Sequence, residues 1–282
     1  MKLEMKSKKL KNGMLTVLLP VLFGVFLLLL WRFKALHALL GLNESQLPYL
    51  ENIWVFIKNG GDGTARITVN VKSTLAVVFL GLIIGSLLGY FVAVIAALFP
   101  KSKGVLTVLA AFNAIPVVAL APIMGRWFPQ SAQVAKVAIA AILCLVPMSV
   151  NAYRGLTELK PYSQDLLKSY AASKTQIFLK LKLPNSVPHI FTALKLCVVS
   201  AMIGAIIGEY YISGPMIGIG KVIRNDLKGG RLTSGWSHVL IATLIGALLY
   251  AAVLLFEKYT VRAVNAVKTR MTERTVGKRT NG

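Results

Sequence analysis

Acidic residues are scarce in this chain: 10 Asp and Glu stand against 32 Lys and Arg in 282 residues, a formal net charge of +22. Charge of either sign is sparse, at 15% of residues against 56% hydrophobic, which argues against an ordinary water-soluble domain. Cysteine is nearly absent. Cys144 and Cys197 both fall inside apolar runs and read as small core residues, not as a disulfide or a metal pair. The three histidines, His37, His189 and His238, fall near helix ends without obvious partners, which argues against a zinc site or a catalytic triad in an intramembrane enzyme. A phosphate-binding Gly-x-x-x-x-Gly-Lys-Ser/Thr loop is missing too. Gly220-Lys221 has Pro215 at the first glycine position and Val222 after the lysine.

What the chain has in abundance is long uncharged sequence. Residues 14–31, 73–100, 105–125, 137–153 and 235–256 carry no charge, and a sixth run near 190–212 is broken only by Lys195 and Glu209. A bilayer core about 30 Å thick takes about 20 apolar residues of helix, and a helix satisfies its own backbone in lipid. Strands of a membrane barrel would alternate polar and apolar, and these runs do not. The expectation is an all-α bundle of six transmembrane helices. The first run is not read as a cleaved signal, because it exceeds the roughly 7–15 apolar residues of one and Trp31-Arg32-Phe33-Lys34 is a poor cleavage site.

The basic residues orient the bundle. Lys and Arg gather at the N-terminus, in the short loop with Lys101 and Lys103, between the runs at 137–153 and 190–212, and in the C-terminal tail. By the positive-inside rule that side is cytoplasmic, with both termini inside. The same rule accounts for the positive charge without nucleic acid. The implied organisation is a basic N-terminus at 1–13, a first transmembrane helix at 14–34, an external segment at 35–72, a core at 73–257 and a basic tail at 258–282.

Within the external segment, Leu50, Ile53, Trp54 and Ile57 share one helical face and predict a helix lying at the outer interface. Asn59-Gly60-Gly61-Asp62-Gly63 ends it. Gly81, Gly85 and Gly89 lie on one face of the second run and predict a close helix contact with an unspecified partner. Pro116 and Pro122 in the third run and Pro147 in the fourth predict bent helices. Asn113, Asn151, Ser200 and Glu209 are candidates for lining a polar path, on polarity and position alone. An acid at the depth of Glu209 faces the bundle interior, a water cavity or the interface, and the interface is the simpler reading. Residues 213–220 are too short and glycine-rich to span, and read as an external loop or re-entrant turn.

The polar island at 153–188 is the segment most suited to touch a partner. Residues 162–170 and 173–183 each fit a short helix, with Ser173 an N-cap for the second. Leu166, Leu167 and Tyr170 form one apolar edge; Ile177, Phe178 and Leu181 form another. Two short helices meeting at Ala171-Ala172-Ser173 make a knob with apolar edges and a basic skirt, and a merely solvated loop has little use for such edges.

Asp165-Leu166-Leu167, Ala171-Ala172-Ser173, Gln176-Ile177-Phe178 and Leu183-Pro184 resemble the EAA loop of ABC importer permeases. In that pattern Asp165 takes the acid position, Ala171 the glycine, Leu181 the isoleucine and Leu183-Pro184 the final pair, with spacing kept throughout. The stretches 190–195 and 203–210, together with 116–122, look like the nitrate, sulfonate, taurine and pyrimidine-precursor branch. Two departures stand out. Leu166-Leu167 replace two alanines, and alanine at 171 costs of order 1 kcal/mol if the backbone there is left-handed.

The resemblance implies a non-catalytic permease subunit in a bacterial cell membrane. It implies a second permease copy, a pair of cytoplasmic ATPase subunits that grip the loop and hold ATP and Mg, and an extracytoplasmic solute-binding protein. The expected substrate is a small organic or oxyanion solute: a pyrimidine or thiamine precursor, flavin, sulfonate, taurine or nitrate. The rival reading is a secondary transporter or channel that works without an ATPase. Such proteins show repeats and intramembrane charges for coupling ions, whereas only Glu209, Lys195 and Lys136 lie near membrane depth here.

Overall fold

The computed structural model describes residues 18–19, 22–99, 104–112 and 115–280. Among them every regular element is a helix. In chain order they are α1 (Leu22–Arg32), α2 (Ala35–Leu40), α3 (Leu50–Lys58), α4 (Ile67–Leu98), α5 (Gly104–Phe112), α6 (Val117–Trp127), α7 (Ala132–Thr157), α8 (Ser163–Ser169), α9 (Lys174–Ile177), α10 (Leu183–Tyr211), α11 (Ile219–Lys228) and α12 (Leu232–Thr280). A π turn at Phe178–Lys182 joins α9 to α10.

The chain divides into two compact units. One comprises residues 1–67 and 223–238, the other residues 68–222 and 239–282. In the first, Trp31 packs edge-on against Trp236 with centroids 5.4 Å apart, and its indole N–H donates to the Pro48 carbonyl at 2.9 Å. His37 Nε2 lies 2.7 Å from the Leu47 carbonyl, and His238 is buried with Nδ1 2.9 Å from the Ser234 carbonyl. These two histidines thus have local structural partners that the sequence does not reveal. The amphipathic helix expected in the external segment is α3. It ends as anticipated, with Gly60 and Gly61 both in the left-handed region.

The second unit is built on α4, α7 and α10. Gly81, Gly85 and Gly89 face α7: a Cβ on Gly85 would lie 2.7 Å from that of Cys144, and one on Gly89 2.6 Å from the Leu145 carbonyl. Helix α10 approaches α7 as closely: a Cβ on Gly204 would lie 2.7 Å from Ala140 Cα. Small residues let helix backbones meet at this range, where lipid supplies no hydrophobic drive and dispersion contacts hold the pair. The two cysteines belong to this seam. Each thiol donates to the other's carbonyl, at 3.2 and 3.3 Å, and both are free and buried. Ala121 and Met124 of α6, Ala135 and Ile139 of α7, and Ile212 form a further apolar cluster.

Among the described residues four helices are long and apolar enough to cross a membrane: α4, α7, the continuous helix Lys174–Tyr211, and residues Leu232–Thr260 of α12. Leu22–Arg32 and Val117–Trp127 are shorter apolar helices. The run at 105–125, expected as one bent helix, is divided into α5 and α6, with Ile115 and Pro116 outside both. Proline lacks the N–H a continuing helix needs, and Pro116 instead stands at the N-cap of α6. Pro122, Pro147 and Pro188, by contrast, lie inside helices.

Candidate functional site

Between the long helices α7 and α10 the chain folds into a small two-helix knob. The knob is shorter than the polar island suggests. Helix α7 continues through Thr157, and from Lys174 onward the chain is helical into α10, so the irregular part is confined to 158–162 and 170–173. Asp165 occupies the first turn of α8, where a carboxylate complements the helix dipole. It pairs with Lys168 at 3.1 Å, an exposed contact of small energetic value. After Ser169 the chain turns through Ala171, whose φ is +52°. Alanine therefore adopts here the left-handed conformation that glycine takes without cost.

Ser173 is the N-cap of α9, as expected. Its hydroxyl accepts from the Gln176 amide at 3.2 Å, and the Gln176 side chain accepts from the Ser173 amide at 2.9 Å. This reciprocal capping box satisfies two backbone donors and fixes the knob's second helix. The π turn follows immediately ahead of Pro184. A proline ring collides with the carbonyl four residues earlier in a regular helix, and a wider turn moves that carbonyl aside.

The edges of the knob differ in exposure. Leu166 is 59% and Tyr170 77% exposed, whereas Ile177 is only 6% exposed. Leu167, Phe178, Leu181 and Leu183 are half-buried; Pro184, Ala171, Ser173 and Gln176 are exposed, and Ala172 half-buried. Thus the α8 edge is open, while Ile177 anchors α9 in the structure. Sequence reasoning missed the brace beneath. A Cβ on Gly155 would lie 2.8 Å from Ser186 Cα and from His189 Cβ, so the two helices that carry the knob are in near-backbone contact at its base. The isolated Gly155 in a helical stretch was the available signal.

Among the described residues no hydrogen bond joins Asn151, Ser200 and Glu209 to one another. Asn113 lies outside the described residues. Asn151 donates to the Pro147 carbonyl of its own helix at 2.8 Å, and Ser200 is half-buried on α10. Glu209 is fully buried, which corrects its assignment to the interface. Its carboxylate accepts from the Thr74 hydroxyl, 2.9 and 3.0 Å from its two oxygens, and from the Gly220 amide at 3.0 Å. A carboxylate with fixed donors is tolerated at such a position; at a water interface it would not require them.

These helices match known proteins. The family model for the binding-protein-dependent transport system inner membrane component matches residues 81–266, and the chain belongs to that family. It is a permease component of a binding-protein-dependent ABC transport system, a class of membrane subunit that is generally non-catalytic and has an ATPase as partner. Among its relatives is a formylaminopyrimidine transport permease of Halalkalibacterium halodurans, 29% identical over 237 residues, covering 83% of this chain and 91% of the relative. A riboflavin transport system permease of Chloroflexus aurantiacus is 30% identical, over 55% of this chain and 57% of its own. A nitrate import permease of Leptolyngbya laminosa is 27% identical, over 61% and 58%. The fold is shared with a bacterial ABC transporter involved in import of the acidic polysaccharide alginate: the TM-score is 0.60 at 13% identity, over 89% of this chain and 99% of that one.

Proposed function

We propose that this permease takes part in ATP-driven import of a small heterocyclic solute of the formylaminopyrimidine kind, and that the knob at 158–183 is the part an ATPase grips. The observation that carries the coupling role is the open α8 edge, Leu166 and Tyr170, held on a capped and braced two-helix turn. Exposed apolar side chains on a rigid frame make a docking surface, because little ordering cost remains on binding. Asp165, Leu167, Ala171, Ala172, Ser173, Gln176, Ile177, Phe178, Leu181, Leu183 and Pro184 shape that surface and its support.

The knob faces the cytoplasm in this reading, with both termini on the same side. The membrane is crossed six times, by 14–34, α4, α5 with α6, α7, α10 and the first part of α12. At about 1.5 Å per residue, an 11-residue helix such as α6 falls well short of a bilayer core of about 30 Å, so α5 and α6 share a crossing. Two copies of the chain pair, a pair of ATPase subunits binds ATP and Mg, and an external solute-binding protein delivers the substrate. Support for the substrate class is the long match to the formylaminopyrimidine permease.

Reconstitution tests both parts. The chain, its ATPase and its solute-binding protein in vesicles are expected to take up labelled formylaminopyrimidine only when ATP is inside with the ATPase. Uptake by the permease alone, without ATP, would overturn the coupling role; ATP-driven uptake of nitrate or taurine but not the pyrimidine would overturn the substrate.

A further inference from the structure

We propose that Glu209 is a positioning residue of the transport cycle: its carboxylate clasps the strap formed by residues 212–220 onto α4, and this clasp opens and closes as the transporter changes state. Glu209 stands in the last turn of α10, Thr74 near the start of α4 and Lys136 near the start of α7. The knob lies at the other ends of α7 and α10, so these two helices run from the knob to the clasp.

The strap is held by its backbone. Besides its bond to Glu209, Thr74 accepts at Oγ1 from the Ile219 amide at 2.9 Å, while the Gly220 amide goes to the carboxylate itself. The two amides open α11, so the acid also meets the positive end of that helix. On the carbonyl side, Lys136 Nζ donates to Met216 at 3.3 Å and Lys221 Nζ to Gly214 at 2.9 Å. At three glycines of the strap the fit leaves no room for a side chain. A Cβ on Gly218 would overlap the Glu209 carboxylate, one on Gly220 would overlap the Ile206 carbonyl, and one on Gly214 would lie 2.6 Å from Ala132 Cβ.

A brace for a static loop does not need a carboxylate at membrane depth, where an unpaired charge is costly. A clasp made of two backbone amides and one hydroxyl is switchable, because each donor has an alternative partner in water once the strap lifts. Tilting α7 against α10 moves Lys136 and Glu209 relative to each other and so loosens both sides of the strap together. Such an element with two arrangements is what a coupling between distant ends requires. The proposal rests on the coupling role of the knob only for what drives the clasp, not for the clasp itself.

The test uses the assembled transporter in vesicles and a reporter cysteine, Val222→Cys, at a buried position just behind the strap. A membrane-impermeant maleimide reads its exposure, with the parent chain as background. Without nucleotide, Glu209→Gln and Thr74→Val are each expected to speed labelling about tenfold, the effect of losing a buried hydrogen bond to a charged group. Thr74→Ser, which keeps the hydroxyl, is expected to label at the parent rate. A second reporter, Ala201→Cys in the buried middle of α10, is expected to stay protected in every variant. Equal labelling of Val222→Cys in Glu209→Gln, Thr74→Val and parent would overturn the clasp, as would exposure of Ala201→Cys alongside it, which marks general loosening. In the parent, nucleotide and solute-binding protein are expected to raise labelling, and an unchanged rate would overturn the switching role. A knob variant, Leu166→Asp, separates the two readings: it is expected to abolish the nucleotide response and leave the nucleotide-free rates untouched.

Discussion

Lys195 of α10 and Glu257 of α12 form an ion pair, Nζ to Oε2 at 2.9 Å, with side chains 18% and 25% exposed. In the sequence Lys195 is the one basic residue in an apolar run, and its partner is 62 residues away. Pairing offsets part of the cost of burying each charge. It also ties α12 to the helix that leaves the knob.

Breaking that pair exposes the charge left behind. Lys195→Ala or Glu257→Ala is expected to destabilise the purified permease by on the order of 2 kcal/mol, below the cost at a fully buried pair because both groups are partly open. The exchange Lys195→Glu with Glu257→Lys is expected to recover most of that loss. Thermal denaturation in detergent measures all three, and equal stability of single and exchanged variants would show that the pair contributes nothing.

The turn at Ala171 makes the opposite kind of prediction, an improvement. Ala171→Gly relieves the left-handed strain and is expected to stabilise the knob by up to about 1 kcal/mol with import retained. Ala171→Val places a branched side chain at a positive φ and is expected to lower import. Hydrogen exchange of the Ala172 amide, which bonds to the Leu167 carbonyl, reports the turn directly. Slower exchange in the glycine variant is the expected sign.

Charging the open edge separates docking from folding. Leu166→Asp and Tyr170→Asp alter exposed positions, so insertion into the membrane and the melting temperature are expected to stay near those of the parent. Co-purification of the ATPase and import are both expected to fall at least tenfold, since each change places an ion in an apolar contact. Normal import by either variant would place the docking surface elsewhere.

The glycine seam gives a packing prediction with its own control. Gly85→Ala puts a Cβ 2.7 Å from that of Cys144 and forces α4 away from α7, at an expected cost of about 1–3 kcal/mol. Gly104→Ala, whose Cβ would meet nothing within 4 Å, is expected to be neutral or slightly stabilising. Yield of folded protein after detergent extraction compares the two; a similar fall in both would dismiss close packing as the cause.

Much of this was legible in the residues. Apolar runs too long for a soluble core announced membrane helices, Ser173 marked the N-cap of its helix, and the spacing from Asp165 to Pro184 marked the family. Each of these is local: a helix's own length, its cap or its periodicity decides the matter within a few turns of chain. The division of 105–125 was less legible, because proline is tolerated in some helices here and stands outside them at 116.

What the sequence by itself determined is therefore the all-helical membrane architecture, the family, and the place and local form of the knob, since these follow from hydrophobic length, backbone propensity and short-range hydrogen bonds. Only the tertiary structure decided which helix the glycines face, that Lys195 meets Glu257, and that Glu209 holds a strap through Thr74 and Gly220 instead of sitting at the interface. Those facts depend on side chains and amides from segments far apart in the chain, and their meeting is fixed by packing that no local pattern encodes.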